Sequence, residues 1–110
     1  MAYDTDLAER LRELLAHEPG VIEKKMFGGL AFLVGGHMSV SASGHGGLML
    51  RVDPAQSEAL LEDPRAELVV MRGREMPGWL HIAIDPATSE DELKGWVEHS
   101  LHYVHSLPPK

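Results

Sequence analysis

The stretch KKMFGGLAFLVGGHM, from Lys24 to Met38, contains two Gly-Gly pairs on either side of a short apolar segment. Glycine adopts a positive φ without steric cost, and two-residue hairpin turns require that conformation. Each Gly-Gly pair is therefore interpreted as a tight turn, with LAFLV as a central strand between antiparallel neighbours. The segments VIEKKMF, HMSVSA and LMLRV supply further strands around it.

Pairing across these turns predicts which residues share a face of the sheet. Phe27 is placed opposite Leu30, and Val34 opposite His37. The face expected to form the core carries Ile22, Lys24, Met26, Ala31, Leu33, Met38, Val40 and Ala42. The other face carries four large apolar residues, Phe27, Leu30, Phe32 and Val34, beside polar neighbours. Because such residues do not stay in water, we expect a helix, a second subunit or a ligand to cover this face.

Capping signals predict three helices around these strands. Asp6 precedes a leucine stripe, DPAQ from Asp53 opens a short helix, and Ser89 caps a long amphipathic one. ELVVM and WLHIAI form a further hairpin before the last helix. The sequence thus predicts an α+β fold with an antiparallel sheet of about five strands and three helices, in the order α-β-β-β-α-β-β-α. Its length predicts a single domain over residues 1–110.

Composition excludes several classes of protein. The chain has no cysteine, which rules out disulfides, thiolate-bound metals and thiol catalysis. Its formal net charge of −7 argues against a main role in binding the nucleic-acid backbone. No apolar run is long enough for a membrane span, and the acidic N-terminus is unlike a signal peptide. A cytoplasmic protein is expected.

Several separated segments resemble the N-terminal domain of TfoX, a family of competence regulators. They are KKMFGGLAFLVGGHM, LMLRVD (Leu48–Asp53), MRGREMPGWLHI (Met71–Ile82) and the C-terminal LKGWVEHSLHYVHSLPPK. The resemblance spans essentially the whole chain and implies the same α+β order of elements. It also implies a link to the regulation of DNA uptake and competence genes in bacteria. The full-length regulator carries a second domain with no counterpart here, so the resemblance alone does not assign competence regulation, and it transfers no catalytic residues.

Seven histidines raise the question of a metal site. His99, His102 and His105 recur every third residue on the last helix, where neighbours three apart share a face. Histidines near a helix C-terminus are also favoured by the helix dipole, and this structural role is the preferred interpretation. No phosphate-binding loop, serine nucleophile elbow or zinc-protease motif is present. No cofactor is predicted.

These observations favour a non-enzymatic regulatory or adaptor module that acts by protein–protein contact, with homodimerisation as one version. The expected partner-binding residues are Phe27, Phe32 and His37 as anchors, with Lys25 and Arg51 selecting an acidic partner. Two alternatives stay open. One is a small nucleic-acid-binding regulator using Lys24, Lys25, Arg72 and Arg74, which the acidic balance disfavours. The other is a histidine-based metal-binding protein or enzyme.

Overall fold

The computed structural model describes residues 3–26, 28–44, 46–85 and 87–108. Within these residues, the helices and strands follow in the order α1 (Thr5–Leu14), β1 (Ile22–Met26), β2 (Gly29–Val34), β3 (His37–Ala42), β4 (Leu48–Arg51), a 3₁₀ turn (Pro54–Gln56), α2 (Ser57–Leu60), β5 (Ala66–Met71), β6 (Arg74–Ile82) and α3 (Glu90–His105). None of the described helices is long and apolar enough to cross a membrane.

The six described strands form one antiparallel sheet in the order β1-β2-β3-β4-β6-β5. This confirms the predicted α+β class and succession of elements. The sheet has six strands rather than about five, because each of the six strand segments named from the sequence, LMLRV included, forms a strand. The edge strands are β1 and β5.

The second Gly-Gly pair forms the predicted hairpin turn. Gly35 and Gly36 have φ values of 60° and 85°, and Val34 pairs with His37 across them. The first turn is displaced, because Met26 pairs with Gly29, which makes Gly29 the first residue of β2. A side chain on Gly29 would overlap the carbonyl oxygen of Ala42. Gly29 is thus required for close packing rather than as a turn residue.

A β-bulge in the β2–β3 pair changes which residues share a face. Leu33 pairs with Met38, but Phe32 pairs with Val40, so Ser39 is an extra residue on β3. Side chains alternate with a period of two, so the extra residue reverses the faces of everything beyond it. Val40 therefore shares a face with Phe32, whereas uninterrupted pairing predicted the opposite.

The predicted core face is wrong for β1 and β2, whereas Val40 and Ala42 of β3 are buried in the core as predicted. Phe32 is 1% exposed and belongs to one buried cluster with Leu11 of α1, Leu93 of α3 and Val40. A helix, a second subunit or a ligand was expected to cover the Phe32 face, and the structure shows helices there. The opposite face, called the open face below, carries Ile22 and its cross-strand neighbours; among the described residues, the helix side chains of the buried cluster pack on the Phe32 face instead.

The helix caps follow the sequence with one exception. Ser89 accepts a hydrogen bond from the Glu92 amide at 3.1 Å, and Asp53 accepts one from Ala55 at 2.9 Å, as expected. The first helix is capped by Asp4 rather than Asp6, since the Asp4 carboxylate accepts from the amides of Asp6 and Leu7. The capping residue must lie outside the helix in extended backbone, and Asp4 meets this condition.

Candidate functional site

The open face of the sheet is concave. Met26 on β1 and Val70 on β5, the two edge strands, line the same cavity of about 350 Å³. The sheet must therefore curl so that its edges approach one another on this side. We call this cavity the open-face groove; its lining includes Met26, Gly29, Ser41, Met49, Val70 and His81.

A row of cross-strand partners explains the shape of the groove. Successive partners across the six strands are Lys24, Ala31, Ser41, Met49, His81 and Glu67. In the middle of the row, Ala31 is 0% exposed and Ser41 is 3% exposed. Four members of the row, Ser41, Met49, His81 and Glu67, line the groove and form its floor.

His81 anchors a glycine-rich loop at one end of the groove. Its Nε2 lies 2.6 Å from the carbonyl oxygen of Gly46. A carbonyl only accepts hydrogen bonds, so Nε2 carries the proton and donates it. A side chain on Gly47 would lie 2.8 Å from the same imidazole. Gly47 therefore allows the loop to lie against His81.

Apolar side chains remain exposed on the strands that border the groove. Ile22 on β1 and Val70 on β5 are each 59% exposed and are the large hydrophobic residues that the described surface exposes most. Met26 and Met49 are half-buried. The open face thus combines a small polar floor with aliphatic and methionine walls.

Two of the predicted anchors are not available at the surface. Phe32 is buried beneath the helices, and His37 is 8% exposed. The His37 Nε2 donates a hydrogen bond of 2.6 Å to the carbonyl oxygen of Pro108, which ties the start of β3 to the end of the chain. These burials conflict with the expected anchor roles. Phe27, the third anchor, lies outside the described residues.

The two predicted acidic-partner contacts are separated. Lys25 is exposed on edge strand β1, and its cross-strand partner Leu30 belongs to the helix-covered core. Arg51 lies on β4, three strands away, beside Trp79 of β6. Cross-strand partners share a face, so Lys25 lies on the helix-covered side, away from the groove. Lys25 and Arg51 therefore do not form one site.

Arg51 is held by aromatic rings. Its guanidinium carbon lies 5.5 Å from the ring centroid of Trp79 and 5.5 Å from that of Tyr103 on α3. Both distances fall within the range of cation–π attraction. The sequence indicated an acidic partner for this arginine, whereas within the described residues it contacts two rings instead.

The histidines of α3 are divided among different neighbours. The His105 Nε2 lies 2.9 Å from a carboxylate oxygen of Glu18, and the His99 ring lies 6.2 Å from the Trp96 ring. His102 is exposed. In the part of the chain that the structure describes, no group of three or more His, Asp or Glu side chains is placed to hold a metal ion.

The family model of the TfoX N-terminal domain matches residues 13–103, which is most of the chain. The chain belongs to the TfoX N-terminal domain family. This family is associated with competence and regulatory proteins. No curated protein and no solved structure gave a significant match. The matched TfoX segment includes every strand of the sheet, the groove residues and all three members of the Arg51 cluster.

Sequence reasoning missed the groove residues of this TfoX domain. Met49, Val70 and His81 lie on three strands that are distant in sequence, and the pairing of β4 and β5 with β6 brings them around one hollow. A signal was nevertheless present, because Ser41 is a small polar residue in the middle of a central strand. Small residues at such positions indicate either close packing or a concave surface.

Proposed function

We propose that this TfoX N-terminal domain is a non-enzymatic regulatory module that binds a protein partner on its open face. One observation carries the proposal: in the part of the chain that the structure describes, the helices pack on the Phe32 face of the sheet, while the other face forms a groove with apolar walls. Antiparallel sheets that face water usually present polar residues there. Ile22 and Val70, each 59% exposed, depart from that pattern.

The physical properties of the groove suit protein binding. Burying apolar surface contributes about 25 cal/mol per Å². Methionines such as Met26 and Met49 adapt their shape to a partner and are common at binding surfaces. Exposed apolar patches with polar rims mark interaction sites. Lys24 and Glu67, at the two ends of the cross-strand row, supply such a rim.

The positions of the basic residues weaken the nucleic-acid alternative. Lys24 and Lys25 are neighbours on β1 and so point to opposite faces, while Arg72 and Arg74 lie at the β5–β6 hairpin. Binding to a nucleic-acid backbone requires several cations on one surface. The net charge of −7 also repels the negatively charged nucleic-acid backbone at long range.

The test compares capture of proteins from the native lysate by the wild type and by surface variants. Ile22→Lys and Val70→Lys each place a charge on exposed positions beside the groove, so the fold is expected to persist. Ala59→Lys, at an exposed position on α2, makes the same charge change outside the groove lining. Circular dichroism melting verifies that all variants fold.

We expect one protein to be captured in near-stoichiometric amount by the wild type and by Ala59→Lys, and to be lost with both groove variants. If the captured protein is the chain itself, sedimentation will show a dimer that the same two variants dissociate. Equal capture by all four proteins would refute binding at the open face.

A further inference from the structure

Arg51 occupies an unusual position at the end of β4. The β3–β4 ladder ends at the Val40–Leu50 pair, while β4 continues to pair with β6 through Arg51 and Trp79. Arg51 therefore has no partner on β3. The C-terminal part of α3 brings Tyr103 to the same guanidinium. Arg51 thus lies at the margin of the sheet, where a strand end, a neighbouring strand and a helix meet.

The aromatic contacts leave the hydrogen-bonding capacity of Arg51 unused. A guanidinium has five N–H donors, and attraction to a ring face satisfies none of them as a hydrogen bond to oxygen would. Within the described residues, the Arg51 guanidinium forms no hydrogen bond and no ion pair; the neighbours recorded for it there are the rings of Trp79 and Tyr103.

The other arginines set the comparison. Like Arg51, the side chains of Arg10, Arg12 and Arg65 are half-buried. Each of these three forms an ion pair with a carboxylate: Arg10 with Glu90, Arg12 with Glu23 and Arg65 with Glu92. Arg72 and Arg74 are exposed, and water can satisfy their donors. Among the described arginines, only Arg51 combines partial burial of the side chain with unpaired donors. None of its nitrogens is fully buried, so these donors remain open to an acceptor from outside the chain.

The surroundings of Arg51 select a carboxylate of a protein segment rather than a nucleic acid. Lys24 and Lys25 are separated from β4 by two strands, so they do not extend Arg51 into a run of cations. A single fixed guanidinium is suited to one planar carboxylate, which it can bind with two parallel hydrogen bonds. Met49 of the groove precedes Arg51 by two residues on β4, about 7 Å along the strand.

We propose that Arg51, held by Trp79 and Tyr103, is a carboxylate-binding site that receives an Asp or Glu side chain of a partner segment lying in the open-face groove. The site rests on the proposed function and specifies its partner chemistry: an extended segment that carries apolar residues and an acidic residue next to them. The rings position the guanidinium in advance, so less side-chain entropy is lost when the carboxylate binds.

The test is an NMR titration with synthetic peptides. The probe is a capped peptide of alternating leucine and glutamate, and the matched peptide has glutamine in place of glutamate. The Arg51 side-chain Nε–H and the Trp79 indole N–H signals report on the site, and the methyl signals of Met26 and Met49 report on the groove. The titrations compare the wild type, Arg51→Met, Arg51→Lys and the control variant Arg74→Met. Arg74 is an exposed arginine outside the site.

We expect the glutamate peptide to shift the Arg51 and Trp79 signals in a saturable way. Affinity should fall at least about tenfold for the glutamine peptide or for Arg51→Met, because a hydrogen-bonded charge pair is lost. Arg74→Met should bind as the wild type does. Arg51→Lys keeps the positive charge but lacks the planar guanidinium, so its affinity for the glutamate peptide should lie between those of the wild type and Arg51→Met. If Arg51→Met does not fold, Arg51→Lys replaces it in the comparison.

The carboxylate site would be overturned by equal binding of the two peptides, by unchanged binding by Arg51→Met, or by the absence of any shift with the glutamate peptide. A shift of Arg51 by inorganic phosphate alone, as large as that with the peptide, would assign the site to small anions and also overturn it. Shifts confined to the methionine methyls would refute the Arg51 site and leave the groove proposal intact. The groove proposal itself is tested by the capture experiment with Val70→Lys.

Discussion

At the scale of single residues, the position of Phe32 separates a structural from a binding role. Phe32 is 1% exposed and shares a buried cluster with residues of α1 and α3. Ile22, on the neighbouring strand but on the other face, is 59% exposed. The two residues have similar hydrophobicity, so their difference lies in the face that each one occupies.

Replacing Phe32 by alanine should therefore destabilise the fold, while Ile22→Ala should not. We expect the free energy of unfolding to fall by about 3–5 kcal/mol for Phe32→Ala, since the change removes buried contacts and leaves a cavity. For Ile22→Ala the change should stay within about 0.5 kcal/mol. Urea denaturation measures both. A Phe32→Ala variant as stable as the wild type would show that the side chain is not part of the core.

At the scale of elements, polar contacts attach the helices to the sheet. Ser100 of α3 donates a hydrogen bond of 2.8 Å to the Ser39 carbonyl oxygen, and the two hydroxyls lie 2.7 Å apart in the interior. The bulge that places Ser39 toward α3 thus also creates an acceptor for it. On α1, Arg12 contacts both carboxylate oxygens of Glu23 on β1 at 2.8 Å, which ties edge strand β1 to the helix.

The Arg12–Glu23 pair should give stability that depends on pH. Hydrogen bonds from Arg12 lower the pKa of the Glu23 carboxyl below its ordinary value of 4.5. A lowered folded-state pKa means that the stabilisation is complete above the unfolded pKa and is lost as pH falls through the folded one. The Tm of the wild type should exceed that of Glu23→Gln at neutral pH, by a small amount because both side chains are partly exposed.

This difference in Tm should shrink at high salt and vanish below the folded pKa of Glu23. Glu98→Gln, at an exposed position on α3 that is in none of the described ion pairs, is the matched control and should show little change with pH. A Glu23→Gln deficit that stays constant from neutral to acidic pH would contradict the ionic origin of the effect.

At the scale of the whole molecule, the strands of the sheet differ in burial and in the number of strands they pair with. Strand β3 is paired on both sides and its residues are mostly buried. Strand β1 is an edge strand, and the side chains of Ile22 to Lys25 are exposed. The charged residues Glu23, Lys24 and Lys25 are typical of edges that avoid pairing with other chains. Edge strand β5 has fewer charges, with Glu67 beside a run of aliphatic residues.

Amide hydrogen exchange should reflect this arrangement. We expect β3 amides to exchange far more slowly than those of β1, because opening an edge strand disrupts fewer contacts than unfolding the centre of the sheet. Exchange measured by NMR at two protein concentrations checks this. Protection of β1 equal to that of β3 at both concentrations would contradict the topology, whereas protection that appears only in the concentrated sample would indicate that a second copy covers the edge.

The sequence by itself determined the features that depend on neighbouring residues. The Gly35-Gly36 turn, the Ser89 and Asp53 caps, the α+β order and the TfoX resemblance all rest on local residue types, and all are found. The turn and the two caps depend on backbone conformations that a few neighbouring residues favour. Residues such as Asp6 show the limit of this, since the true cap lies two positions earlier.

Only the tertiary structure decided which face became the core and where the candidate site lies. The bulge at Ser39 reversed the faces of β3, because one inserted residue moves every later side chain to the other side of the sheet. The groove and the Arg51 cluster join residues from distant segments, through the curl of the sheet and the packing of α3. These contacts arise from the burial of a common core, so a local pattern of residues does not predict them.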